Sequence, residues 1–120
     1  MRYLSALAAL SLILCVVSSA HAHALLDHAN PRVGSTLVGA PTELLLWFTQ
    51  KLEPAFSKVE VRDSNGARVD EGRAQVDPSD ASLLRVALKP LPSGRYEVRW
   101  RVLSVDTHTT EGRFLFNVRK

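Results

Sequence analysis

Residues 95–104, RYEVRWRVLS, alternate strictly, with Tyr96, Val98, Trp100 and Val102 in one set and Arg95, Glu97, Arg99 and Arg101 in the other. A two-residue period places the sets on opposite faces of a β-strand, one against a core and one in water. Residues 112–118 (GRFLFNV) repeat the pattern through Phe114, Phe116 and Val118, and residues 57–63 (SKVEVRD) through Val59 and Val61. The Ser64-Asn65-Gly66 that follows is a turn, because Asn-Gly tolerates the positive φ of a tight hairpin.

No stretch keeps a helical period for three turns. Residues 43–50 (ELLLWFTQ) form an apolar run with polar ends, as in a strand buried in a sandwich core, and residues 83–88 (LLRVAL) form another strand. Residues 73–76 read as a short edge strand and residues 77–80 (DPSD) as a turn, while Pro90 and Pro92-Ser93-Gly94 mark a loop. Six or seven short strands separated by turns predict an all-β, Ig-like Greek-key sandwich or barrel of about seven strands. Trp47 and Trp100, each inside a strand-period apolar pattern, read as core anchors.

The beginning of the chain has a different grammar. Arg2 precedes an uncharged, mostly apolar run over residues 4–17, and residues 18–22 (SSAHA) offer small side chains to a signal peptidase. The run is shorter than the roughly 20 residues of a bilayer-spanning helix. Residues 1–22 therefore read as a secretory signal peptide and residues 23–120 as one small domain. Cutting after Ala20 leaves His21 first, and cutting after Ala22 leaves His23 first.

Met1 and Cys15, the one methionine and the one cysteine, depart with the signal, so the mature chain has neither disulfides nor sulfur ligands. Loss of Arg2 lowers the net charge from +3 to 14 − 12 = +2. The basic residues alternate with acids and form no run, which disfavours nucleic acid and anionic membrane as partners.

With sulfur gone, His21, His23, His28 and His108 are the noteworthy ligands. In an extended segment, Asp106 and His108 of Asp106-Thr107-His108 point to one side. Such a pair is either an exposed loop ion pair or half of a metal site. An N-terminal histidine adds a free α-amine, whose unperturbed pKa is about 8, to its imidazole, and both can chelate one ion near neutral pH. Nitrogen and carboxylate donors in a tetragonal set suit Cu(II), whereas Cu(I) prefers the absent sulfur.

Residues 23–35 (HALLDHANPRVGS), 44–66 (LLLWFTQKLEPAFSKVEVRDSNG), 91–108 (LPSGRYEVRWRVLSVDTH) and 111–118 (EGRFLFNV) together resemble the CopC family of periplasmic copper-binding domains. The resemblance covers essentially the whole mature chain. It implies a Greek-key β-domain, a mature terminus at His23, and a site for one Cu(II) per chain built from the His23 amine and imidazole with Asp106 and His108. It also implies a non-enzymatic, periplasmic protein of copper resistance or homeostasis, which sequesters copper or delivers it to a CopD-type inner-membrane protein. A monomer that binds no nucleic acid is expected on the same grounds.

The methionine-rich Cu(I) site of many members has no counterpart here. His28 is either a further imidazole near the site or a surface histidine bonded within its own turn; Asp27 and Glu111 are candidate acceptors for a ligand histidine. A histidine-brace copper oxidative enzyme and an Ig-like interaction module without metal are the alternatives. Against the first, an Asp106 carboxylate beside His108 fills the position that an oxygen-activating copper leaves open.

Overall fold

The computed structural model describes residues 23–120; the signal peptide expected over residues 1–22, with His21 and Cys15, lies outside the described residues. Eight strands follow one another: β1 (Leu26–Asn30), β2 (Thr36–Val38), β3 (Glu43–Phe48), β4 (Lys58–Asp63), β5 (Gln75–Asp77), β6 (Asp80–Ala87), β7 (Gly94–Leu103) and β8 (Thr109–Arg119). A 3-10 turn, Pro54–Phe56, precedes β4.

The strands form two four-stranded sheets, ordered β1-β3-β6-β5 and β2-β8-β7-β4. All pairings are antiparallel except β2 with β8.

Alternation decides what each face does. Leu44, Leu46 and Phe48 of β3, Leu84 and Val86 of β6, Val59 and Val61 of β4, Val98 and Val102 of β7, and Phe114 and Phe116 of β8 all belong to one buried cluster. Each such side chain fully removed from water contributes about 1.5–3 kcal/mol, so the sandwich needs no disulfide to hold it. The Tyr96 hydroxyl, carried on the same face, donates to the Pro92 carbonyl at 2.5 Å and ties the 90–94 loop to β7.

The all-β sandwich expected from the sequence is present, with eight strands rather than about seven. The additional strands lie before residue 43: β1, where the register shifts between Leu26 and His28, and β2, only three residues long. The structure corrects the reading of Trp47. Leu44, Leu46 and Phe48 face inward, so Trp47 faces out, where His28 stacks on it and Leu83 pairs across from it. Trp100 packs against the core, its ring edge-on to Phe48 at 5.1 Å.

Candidate metal centre

Two segments that are remote in sequence meet at one end of the sandwich. The first is the stretch entering β1. Ala24 is fully buried, and its carbonyl accepts a hydrogen bond of 2.6 Å from the Thr110 hydroxyl at the start of β8. Thr49, just after β3, donates its hydroxyl to the His23 carbonyl at 3.3 Å and accepts the Leu25 N–H at 3.0 Å. Its own N–H donates to the Leu25 carbonyl at 2.9 Å. His23 is therefore carried on backbone anchored to β3 and to β8.

The second segment is the β7–β8 connection. Thr107 has φ +73° and donates its N–H to the Ser104 carbonyl at 2.9 Å, so the loop turns back sharply. Buried Ser104 organises it: its N–H donates to the His108 carbonyl at 3.0 Å, and its hydroxyl donates to Asp106 Oδ1 and accepts the His108 N–H at 3.4 Å. The Val105 N–H donates to the Lys51 carbonyl at 3.0 Å, tying the loop to the chain after β3.

Asp106 and His108 are in contact, with Oδ1 and Nδ1 3.3 Å apart. The route differs from the one expected: the pair is gathered by a turn with a left-handed residue at its centre, not by the same-side rule of an extended segment. The Ser104 hydroxyl holds the Asp106 carboxyl below the usual carboxylate range; its slight burial acts the other way, and His108, through ring and backbone, adds to the lowering. The group is thus an anion at neutral pH, as a metal ligand must be.

The His23 and His108 rings then meet edge-on, centroids 4.7 Å apart at 89°. His108 is the hinge of the arrangement, in contact with His23 on one side and Asp106 on the other. Among the described residues, no three His, Cys, Asp or Glu side chains converge tightly enough to hold a metal alone. The cleavage expected from the sequence would add an α-amine on His23 itself. Two imidazoles, a carboxylate and an amine suit Cu(II).

The other candidates lie apart. His28 Nδ1 contacts Asp27 Oδ2 at 2.6 Å, and its ring stacks on Trp47 at 4.4 Å and 9°, both His28 and Asp27 being exposed. Asp27 thus serves His28. Glu111 pairs across from Arg101, whose neighbours on that face point to solvent, while its sequence neighbour Thr110 turns to Ala24. Sequence reading missed Thr49, Ser104 and Thr110. Ser104 stands two residues before Asp106, a spacing that hints at a hydroxyl cap on the carboxylate; no local signal marks the two threonines.

Comparison with known proteins agrees with this architecture. The family model described as "CopC domain" matches residues 26–119. The crystal structure of CopC from Methylosinus trichosporium OB3b is similar, with a TM-score of 0.75 and 34% identity, covering 80% of this chain and 93% of that one. PcoC, described as a methionine-rich copper resistance protein from Escherichia coli, gives a TM-score of 0.69 and 31% identity, covering 82% of this chain and all of that one. The copper transport protein CutJ of Bacillus subtilis is 31% identical over 100 residues, which are 82% of this chain and 18% of the relative's own length.

Proposed function

The chain belongs to the CopC family, and on that footing we propose that it is a periplasmic Cu(II)-binding protein, secreted through a cleaved signal, that sequesters copper or delivers it to a CopD-type inner-membrane protein. A copper-related function is common ground with its relatives. The finer reading rests on one observation above the others: the His23 ring lies against the ring of His108, which is itself in contact with Asp106.

In this reading the copper ion is cargo, and four donors receive it: the His23 amine and imidazole, the Asp106 carboxylate and the His108 imidazole. The amine loses a proton on binding, as do any protonated imidazoles, so loading weakens as pH falls. Sulfur donors are absent from residues 23–120, which favours Cu(II) over Cu(I) as the species held. In this reading both segments give donors to one ion, which suits retention and release to a competing chelator better than catalysis at an open position.

The test is a competition titration of the chain beginning at His23 against a Cu(II) chelator, beside a chain that retains Ala22. The expected outcome is one tightly held Cu(II) in the first and a large loss of affinity in the second, with a similar loss in Asp106→Ala and His108→Ala. Equal affinity in the two chains would refute the amine's role, and mass spectrometry of the secreted protein reads the terminus directly.

A further inference from the structure

The alternation that builds β7 also concentrates charge. Arg99 and Arg101 face out, and the register places Lys58 of β4 directly across from Arg101 and Arg113 of β8 directly across from Arg99. Like charges in direct cross-strand register repel, and here two such pairs occupy successive rows. Glu60 and Glu111 complete those rows at opposite corners, leaving a net charge of 4 − 2 = +2, as large as that of residues 23–120 together.

Of the four cations, Arg99 alone among the described residues is paired with an acid. Glu60 is engaged by Arg62 at 3.2 Å and Arg68 at 3.6 Å, and Glu97 by Arg99 at 2.7 Å. Among the described residues Lys58, Arg101 and Arg113 take part in no ion pair. They line an open groove of about 1070 Å³, together with Arg99, with Arg73 just before β5 and with Gln75, the first residue of β5.

We propose that this groove, on the outer face of β4, β7 and β8, docks an acidic, extended segment of a partner protein. Arginine guanidinium groups bind carboxylates in a bidentate fork. Side chains on one face of an extended peptide recur about every 6.6–6.8 Å, which suits a ligand whose carboxylates alternate with small residues. The groove has a wall, which a flat bilayer would not fill, and the corner positions of Glu60 and Glu111 oppose a uniformly charged polyanion.

The placement gives the docking a use. Beyond the Lys58–Arg101–Glu111 row, Leu103 pairs with Thr109, the residue that follows His108. A segment seated in the groove would thus end beside the loop that carries Asp106 and His108, where a recipient of copper must come. The purpose rests on the copper-carrier reading; the docking itself does not.

The experiment uses copper-free protein beginning at His23 and a labelled synthetic peptide of alternating Glu and Ser, read by fluorescence polarisation at low salt. Comparison ligands are a peptide of the same composition with its glutamates in one block, phosphatidylglycerol vesicles and inorganic polyphosphate. The alternating peptide should bind best, and R101E/R113E should weaken it by roughly tenfold or more, with Lys89→Glu, outside the groove, as an unaffected control.

Relief of the Arg99–Arg113 repulsion should also leave R113E at least as heat-stable as the parent, so that lost binding is not lost folding. Tighter binding of vesicles or polyphosphate, or indifference to R101E/R113E, overturns the proposal. Cu(II) titration of the same variants is expected to be unchanged, which separates a failure of docking from a failure of copper binding.

Discussion

Replacing Thr110 by valine tests whether the site is held ready by the fold. Valine keeps the β-branched shape and removes the hydroxyl that donates to the Ala24 carbonyl at 2.6 Å. Because Ala24 is fully buried, that carbonyl has no water to turn to, and an unsatisfied buried acceptor costs about 1–3 kcal/mol. Every 1.4 kcal/mol is a factor of about ten in an equilibrium constant, so the docked state of the terminal segment should lose about five- to a hundredfold in its favour.

Apparent affinity falls only by the fraction of chains that remain docked. If the segment is docked nearly always in the parent, copper binding therefore weakens by less than the docking equilibrium itself. The expected result is an apparent Cu(II) affinity reduced by up to about tenfold, together with faster amide exchange at Leu25, whose N–H is held by the Thr49 hydroxyl in the same anchored stretch. Thr110→Ser, which keeps the donor, should restore most of both. Competition titration and hydrogen exchange read the two quantities separately. A valine variant that folds, exchanges Leu25 faster and binds copper as before would refute the idea that anchoring of the segment matters to the site.

Two further outcomes follow from the packing. A Cβ at Gly112 would lie 2.5 Å from Trp100 Cζ2 and 2.8 Å from Cε2, so Gly112→Ala should displace the indole and cost about 1–3 kcal/mol; a lowered thermal midpoint with a shifted Trp emission checks it, and an unchanged midpoint contradicts it. Asp70, nearly fully buried, accepts from Arg68 Nη2 at 2.7 Å and from the Val61 and Gly72 N–H groups at 2.8 Å each. Burial raises its pKa, but the hydrogen bond from Arg68, the two backbone bonds and the guanidinium charge together outweigh that and lower it below 3.8. Its stabilisation is accordingly complete above pH 3.8 and is lost as pH falls through the folded value. Acid titration of stability should be flatter below pH 3.8 in Asp70→Asn than in the parent, and identical slopes would contradict the assignment.

What could be read from the sequence was what a single strand reveals about itself. Residues 95–104 declare both their faces, because the two sets differ in polarity at every step. Residues 43–48 do not: with Leu45 and Trp47 as apolar as their inward neighbours, periodicity cannot say which set faces out, and an apolar strand pattern alone wrongly points Trp47 to the core. β1 is hidden differently, since the register shift between Leu26 and His28 breaks the period that would have announced it.

The site divides along the same line. Asp106 and His108 stand two apart in sequence, so their meeting is legible there, whereas the left-handed turn at Thr107 that brings it about is not. Thr49 and Thr110 act on residues 26 and 86 positions away, a relation that no spacing rule carries. The groove lies between these cases. Each strand's charged face is legible, yet the charges look balanced when counted along the chain, and only the register that sets Lys58 against Arg101 and Arg99 against Arg113 turns an even mixture into a cationic patch. Secondary structure is thus encoded where residues differ from their near neighbours, whereas the copper loop's anchoring and the docking face are encoded in pairings between strands.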